Sequence, residues 1–84
     1  MIVVNGTPTF AAFGEMLLAE LALAPVALRD DTRLVEDLGF DSVLVFELLL
    51  VLEEWIGVLL PEALVGQLVT MGDVYEVFRS RSAR

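Results

Sequence analysis

Ser42 is the residue of this sequence whose type and surroundings point most directly to chemistry. It follows Asp41 in the stretch GFDSVLVFEL (residues 39–48), and the only other serines, Ser80 and Ser82, lie near the C-terminus. A serine hydroxyl is a poor nucleophile unless a neighbouring base takes its proton. The chain has no His, no Cys and no Lys, so a Ser/His/Asp triad and the common zinc sites are excluded. We therefore expect a protein that is not an enzyme, with neither a metal site nor a catalytic residue.

Asp41 and Ser42 stand at the start of a helix predicted over residues 42–55, which ends before Gly57. Two interpretations of the pair are open. Asp and Ser are both common at helix N-termini, where their side chains cap free backbone N–H groups. Alternatively, Ser42 is an attachment site, because a phosphate on its hydroxyl would meet unpaired N–H groups and the positive end of the helix dipole.

The remaining pattern predicts an all-α protein, a small four-helix bundle of three longer helices and one short helix. Thr7–Pro8 predicts the start of the first helix and Pro25 its end, and a long loop leads to the second helix. Pro61 and Gly66 confine the short helix, and a T-x-x-D signature at Thr70–Asp73 predicts the start of the last helix. A strand has support only at residues 2–4. We expect one domain over residues 1–84, with a core at about 7–79 and a polar tail at 80–84.

The second helix is apolar on more than one face. At 100° per residue, one stripe predicts the core and comprises Val45, Leu48, Leu49, Leu52 and Ile56. A second stripe comprises Leu44, Glu47, Val51 and Glu54, and a third comprises Val43, Phe46 and Leu50. Either the helix is enclosed on most sides, or its third stripe is exposed for a docking partner. Three other helices cannot easily surround it in 84 residues, so the sequence favours docking.

Charge restricts the class of partner. The formal net charge is −8, and no basic residue occurs between Arg33 and Arg79. This field disfavours nucleic acid and anionic membranes, and predicts partner proteins with basic or apolar docking patches. The N-terminus does not resemble a signal peptide, and glutamates interrupt the apolar runs at positions 47, 53 and 54. We expect a soluble, cytoplasmic monomer.

The stretch EDLGFDSVLVFELLLVLEEWIGVLLPE (residues 36–62) resembles the core motif of acyl carrier proteins. Asp41-Ser42-Val43 matches the family's D-S-L tripeptide with Val in place of Leu, and residues 36–39 match its E-D-L-G lead-in. The positions that follow in the family's register without a gap are Glu47-Leu48, Leu52-Glu53-Glu54, Gly57 and Pro61. The likeness covers about residues 10–78.

The resemblance implies a four-helix bundle with 4′-phosphopantetheine attached to Ser42 as a phosphodiester. The terminal thiol of this arm would hold an acyl group as a thioester. A phosphopantetheinyl transferase would attach the arm from coenzyme A, and Asp41 would cap the helix and contact that enzyme. Further implied partners are a ketosynthase, an acyltransferase or an acyl or aminoacyl ligase. The partner-binding candidates are Val43, Leu44, Phe46, Glu47, Leu50, Val51 and Glu54.

In some relatives the acyl chain lies between the second and third helices. The candidate lining residues here are Val45, Leu48, Leu64 and Leu68, for which a plain core role is the alternative. Relatives in fatty-acid synthesis usually have polar residues where this chain has Leu44, Val45 and Val51, so we expect a stand-alone carrier of a polyketide or hybrid pathway. The alternatives are a discrete peptidyl or aminoacyl carrier and an unmodified helical adaptor. A membrane-surface module would need a cationic face that the sequence lacks.

Overall fold

The computed structural model describes residues 3–4 and 7–82. These residues form four helices, preceded by two short antiparallel strands. Strand β1 (Val3–Val4) pairs antiparallel with β2 (Thr7–Pro8), so the predicted strand is present at residues 3 and 4, while Ile2 lies outside the described residues. The helices are α1 (Phe10–Glu20), α2 (Ser42–Ile56), a 3₁₀ helix (Glu62–Gln67) and α3 (Met71–Ser82). The predicted bundle of three longer helices and one short helix is confirmed, as is the long loop, residues 21–41.

The start predicted for α1 is wrong by two residues. Thr7–Pro8 belongs to β2, and the helix begins after Thr9, whose Oγ1 accepts a hydrogen bond from the backbone N–H of Ala12 at 3.2 Å. The Pro8 carbonyl accepts a hydrogen bond from the Tyr75 hydroxyl at 2.8 Å. Strand pairing and this contact hold Thr7–Pro8 extended, so tertiary structure outweighs the local preference for a helix start.

The end predicted for α1 is also wrong, because the helix stops at Glu20 and not at Pro25. Ala22 adopts a φ of 58°, a left-handed conformation that ends helices but is usually occupied by glycine. The N–H of Leu23 then donates to the carbonyl of Leu18 at 2.8 Å, which satisfies one carbonyl of the last turn. A left-handed alanine costs about 1–2 kcal/mol relative to its right-handed form, so the sequence gives little warning of this turn.

Helix α2 matches its prediction to within one residue. The Asp41 carboxylate accepts a hydrogen bond from the backbone N–H of Leu44 at 2.8 Å and caps the N-terminus. Gly57 ends the helix with a φ of 85°, and its N–H donates to the Glu53 carbonyl at 2.8 Å. The predicted core stripe is buried at Val45, Leu48, Leu49 and Leu52, and Ile56 is half-buried.

Helix α3 begins at the predicted capping signature. Thr70 Oγ1 accepts from the N–H of Asp73 at 3.1 Å, and an Asp73 carboxylate oxygen accepts from the N–H of Thr70 at 2.9 Å. These reciprocal bonds satisfy the donors at the helix start. The helix continues to Ser82, so residues 80–82 of the predicted polar tail form its last turn.

Backbone pairing ties the long loop to the start of α3. The N–H of Leu34 donates to the Val69 carbonyl at 2.9 Å, and the N–H of Gly72 donates to the Asp30 carbonyl at 2.8 Å. A Cβ at position 72 would lie 2.8 Å from that same carbonyl oxygen and would collide with the Asp30 carboxylate. Only glycine lets the loop come this close to the helix. The loop is therefore part of the packed structure.

Five aromatic side chains pack together, with the buried Phe13 at the centre. This aromatic cluster comprises Phe10, Phe13, Trp55, Tyr75 and Phe78. The ring centroid of Phe13 lies 4.8 Å from that of Phe78 and 5.9 Å from that of Trp55. Since Trp55 is near the C-terminal end of α2, the cluster joins α1, α2 and α3 at the end of α2 remote from Ser42.

Candidate functional site

A tight turn delivers the chain to Ser42. Gly39 takes a φ of 74°, a left-handed value that favours glycine, and its N–H donates to the Val35 carbonyl at 3.1 Å. The carboxylate of Asp37 accepts from the N–H of Arg33 at 2.8 Å and fixes the start of the turn. Phe40 follows, 3% exposed, and anchors the backbone immediately before Asp41. Ser42 therefore stands on a firmly positioned segment although it lies on the surface.

Ser42 is exposed and occupies the first position of α2. The first N–H groups of a helix have no intrahelical acceptor, and Asp41 satisfies the one at Leu44. A group with negative charge on Ser42 Oγ would meet the remaining donors and the positive end of the dipole of α2. The hydroxyl is accessible to a modifying enzyme, as an attachment site requires.

A groove of about 410 Å³ opens beside Ser42. It runs between the start of α2, the turn that precedes it and the segment around the 3₁₀ helix. Its lining residues are Val35, Glu36, Phe40, Asp41, Ser42, Val45, Val65, Gly66, Leu68 and Val69. Among these residues only Glu36, Asp41 and Ser42 have polar side chains, and the other side chains are aliphatic or aromatic.

The candidate pocket-lining residues divide into two pairs. Val45 and Leu68 line the groove, and both are buried. Leu48 and Leu64 are also buried but are not among the residues that line it, and they belong to the hydrophobic core. The structure thus places the two pairs differently, in keeping with a plain core role for Leu48 and Leu64.

The third stripe of α2 faces solvent. The exposed fractions are 66% for Val43, 41% for Phe46 and 49% for Leu50. The alternative of a helix enclosed on most sides is therefore wrong. In the second stripe, Leu44 and Val51 are half-buried, whereas Glu47 and Glu54 are exposed. The Ser42 end of α2 thus carries an exposed apolar strip with carboxylates along its border.

Negative charge dominates around Ser42. Asp41, directly before α2, and Glu47 on α2 are both exposed. The ion pair nearest in sequence joins Arg33 to Glu36 at 3.6 Å, with both side chains more than half exposed. Such an exposed pair contributes little to stability and leaves the acidic field of the surface largely in place. Within residues 3–4 and 7–82, no helix is long and apolar enough to cross a membrane.

Several site residues were not predicted from the sequence, namely Val35, Glu36, Phe40, Val65, Gly66 and Val69 as walls of the groove. These positions come from two separate segments, residues 35–40 and 65–69, which the pairing of the long loop with residues 69–72 brings together. A local signal existed for Gly66 alone, since a glycine within a predicted short helix needs a reason.

Comparison with known proteins agrees with this geometry. The family model described as "Phosphopantetheine attachment site" matches residues 12–78. An acyl carrier protein of Campylobacter hominis is 35% identical over 65 residues, which are 77% of this chain and 82% of that protein. An acyl carrier protein of Renibacterium salmoninarum is 33% identical over 73 residues, covering 87% of this chain and 90% of the relative.

A longer relative matches as well. A non-reducing polyketide synthase of Alternaria cinerariae is 32% identical over 75 residues, which are 89% of this chain but 4% of the synthase. The family model covers most of the residues described above, and the small relatives are matched over most of their length. The chain therefore belongs to the acyl carrier proteins, non-catalytic helical proteins that bear a covalently attached 4′-phosphopantetheine group.

Proposed function

We propose that this chain carries acyl groups as thioesters on a 4′-phosphopantetheine arm attached to Ser42 Oγ. The observation that carries the proposal is the exposed Ser42 hydroxyl at the N-terminus of α2, directly after the capping residue Asp41. A phosphopantetheinyl transferase joins Ser42 Oγ to the pantetheine phosphate of coenzyme A, adenosine bisphosphate leaves, and the transferase takes the serine proton. The arm supplies the thiol that the chain itself lacks.

The residues around Ser42 fit such a group. A phosphodiester retains one negative charge, which the N-terminal N–H groups of α2 stabilise. Asp41 holds the Leu44 N–H and so keeps the first turn in place. Space for a bulky substituent exists on both sides, in solvent and along the groove beside Ser42.

The direct test is loading by a broad-specificity transferase with coenzyme A, followed by intact mass. The wild-type chain is expected to gain one arm, and Ser42→Ala none. Ser80→Ala is the matched control, because Ser80 is also exposed but lies on α3. A wild-type chain that gains nothing, or a Ser42→Ala variant that still gains the arm, would contradict the proposal.

We further propose that Val43, Phe46 and Leu50 form the centre of the surface that partner enzymes contact, with Leu44 and Val51 beside them and Glu47 and Glu54 as steering charges. Support comes from the exposure of the three apolar side chains and from the acidic border of the strip. Ketosynthases, acyltransferases and ligases that use the carrier would then present apolar patches with basic rims.

The docking surface is tested by charge changes at exposed positions. Phe46→Asp and Glu47→Lys are expected to raise the KM of the transferase for the carrier at least about tenfold, the effect of removing a contact of roughly 1.4 kcal/mol. Glu15→Lys on α1 is the control, since Glu15 is exposed away from this strip. Circular dichroism checks that each variant is folded. Equal effects at positions 15 and 47 would show that overall charge, and not this surface, governs recognition.

For the pathway we propose polyketide or hybrid biosynthesis, with the chain acting as a discrete carrier in the cytoplasm and as a monomer. Support comes from Leu44 and Val51, apolar positions on α2 that make the docking surface less electrostatic. The test offers the arm-bearing protein to a ketosynthase–acyltransferase pair with malonyl-coenzyme A, and to an adenylating amino-acid ligase. Loading by the ligase alone would favour the peptidyl-carrier alternative. Full activity of Ser42→Ala would favour an unmodified adaptor.

A further inference from the structure

We propose that this chain has a second docking surface, a groove between α1 and loop residues 23–28, which binds a segment of a partner protein with one basic side chain among aliphatic ones. This α1 groove shares no lining residue with the groove beside Ser42 or with the exposed strip of α2. A partner that holds the carrier by α1 therefore leaves Ser42 free for loading. Binding at the α1 groove goes beyond the proposed function and does not require the arm.

The α1 groove consists of two cavities that lie side by side, one of about 450 Å³ and one of about 250 Å³. Glu15, Val26 and Ala27 line both of them. Among the described lining residues, Glu15 has the only polar side chain. From Ala11 to Ala19 the groove follows about 12 Å of helix, a length that about four residues of extended peptide span. The groove thus has the size of a short peptide segment.

Two contacts hold the loop against α1. The N–H of Leu23 donates to the Leu18 carbonyl at 2.8 Å. Further along the loop, Leu28 lies on the buried Gly14, where a Cβ would be 2.9 Å from Leu28 Cδ1. Glycine inside a helix is less stable than alanine, so its presence at position 14 serves the close approach of Leu28. Residues 24–27 lie between the two contacts and are exposed. The cavities therefore belong to a fixed arrangement of the loop.

The backbone of the loop is free to bind another chain. Residues 24–28 are in neither a helix nor a strand. In the described part of the chain, the N–H groups of residues 24 and 26–28 donate to no protein atom, and the carbonyls of residues 24–28 accept from none. Exposed backbone groups without partners can pair with the backbone of an extended peptide. This favours a polypeptide over a small apolar molecule as the occupant.

Charge defines the side chains of the occupant. Glu15 is exposed, and its carboxylate takes part in no ion pair or hydrogen bond with the described residues. Arg29, the basic residue nearest to the groove in sequence, pairs with Asp31 at 3.3 Å. An arginine or lysine of a partner fits such a site, because its aliphatic stem packs on apolar walls while its charged end meets a carboxylate.

Charge also decides between a partner protein and a second copy of this chain. Each copy has a formal net charge of −8, so two copies repel each other. A basic segment of another protein is attracted by the same field. The occupant is therefore a different protein, and a partner bound here keeps the carrier close to the enzymes that act at Ser42.

The probe that tests the proposal is a library of random peptides of about nine residues, long enough to cross the groove with flanking residues. The peptides are displayed on phage and selected on the wild-type chain, with removal of those that also bind Val26→Asp. The most enriched peptide is labelled, and fluorescence polarisation gives its Kd for wild type, Val26→Asp and Glu15→Gln. The matched controls are Val58→Asp and Glu62→Gln, since both residues are exposed but line neither cavity.

The enriched peptides are expected to share one basic residue among aliphatic ones. Val26→Asp should weaken binding at least about tenfold, because its carboxylate loses water against the aliphatic side chains of the peptide. Glu15→Gln should weaken it about two- to fivefold, the contribution of an exposed ion pair, and this difference should shrink in high salt. Both controls should bind like wild type. A transferase should load Ser42 at an unchanged rate when the peptide saturates the chain.

Four results would overturn the proposal. They are a selection that yields no peptide able to distinguish wild type from Val26→Asp, enriched peptides without a basic residue, loading of Ser42 blocked by the peptide, and a dimer in sedimentation that Val26→Asp dissociates. The last result would make a second copy the occupant. If circular dichroism shows that Val26→Asp is unfolded, Val26→Ser takes its place with a smaller expected loss. A chain that binds the peptide but gains no arm refutes the proposed function and leaves the α1 groove.

Discussion

The two ends of α2 lie in different surroundings, although the sequence between them is mostly apolar. At the C-terminal end, Trp55 joins the aromatic cluster, in which the rings of Phe13 and Phe78 lie 4.8 Å apart. At the N-terminal end, Ser42 is exposed, the groove opens beside it, and Val43 is 66% exposed. About 20 Å of helix separate the two ends.

This difference shows how a small carrier protein can leave the Ser42 end of α2 exposed to solvent. Aromatic side chains bury large areas, so the cluster concentrates apolar burial where three helices meet. At the serine end, the buried Phe40, the cap at Asp41 and the backbone pairing of the long loop hold the segment in place. Stability and presentation of Ser42 are thereby assigned to opposite ends of one helix.

The largest expected effect comes from comparing a Phe→Ala substitution in the aromatic cluster with one in the exposed strip near Ser42. Phe13→Ala, at a fully buried position, is expected to lower the free energy of unfolding by about 3–5 kcal/mol. Phe46→Ala, at a position 41% exposed, should lower it by less than about 1 kcal/mol. Urea unfolding followed by circular dichroism measures both. Similar losses would mean that the exposed strip is also a structural element.

At the serine end, the tie between the long loop and α3 gives the next largest effect. Gly72→Ala places a methyl group against Asp30 and is expected to cost about 1–3 kcal/mol. Gly66→Ala, where no atom is close, should be neutral or stabilising by up to about 1 kcal/mol. Thermal unfolding gives the difference, and faster hydrogen exchange at Leu34 should accompany Gly72→Ala. Unchanged exchange would show that the loop does not depend on this approach.

The cap of α2 has a smaller effect that separates structure from recognition. Asp41→Ala removes the acceptor for the Leu44 N–H and should cost about 1 kcal/mol, whereas Asp41→Asn keeps an acceptor and most of that stability. If the charge of Asp41 also contacts the transferase, Asp41→Asn should slow loading without a change in unfolding. Normal loading of Asp41→Asn would confine Asp41 to its capping role.

The smallest expected effect lies at the end of α1, where Leu21 and Ala22 line a pocket together with Leu50 and Val51 of α2. Ala22→Gly relieves the left-handed alanine and should raise the free energy of unfolding by about 0.5–1 kcal/mol. Ala19→Gly, within the same helix, should lower it by a similar amount. Loading at Ser42 should be unaffected by either change. A destabilised Ala22→Gly would show that the turn favours alanine for a reason other than its φ.

The sequence was a good guide wherever the signal is local. Helix α2 was predicted from its 3.6-residue stripe and from Asp41 and Gly57, which lie directly before and after it. Helix α3 was predicted because Thr70 and Asp73 cap each other across three residues. The exposure of Val43, Phe46 and Leu50 was predicted because three other helices in an 84-residue chain cannot easily cover every face of α2. In each case the cause and the structure are neighbours in sequence.

Predictions were wrong or missing where a feature depends on contacts between residues that are far apart in the sequence. Thr7–Pro8 has the composition of a helix start, but its pairing with β1 and the contact with Tyr75, 67 residues away, keep it extended. The groove could not be drawn from the sequence, because its walls meet only after residues 30–34 pair with residues 69–72. A left-handed Ala22 has no sequence signature, since alanine is the strongest helix former.

Trp55, the sole tryptophan, sits in the aromatic cluster at the far end of α2 from the attachment site. It is thus an intrinsic optical probe that reports on only half of the domain. Its emission should change when the protein unfolds. It should not change when an acyl group is added to or removed from the arm on Ser42. Fluorescence titrations that show no change on acylation would therefore be a consequence of where the indole lies and no sign that loading has failed.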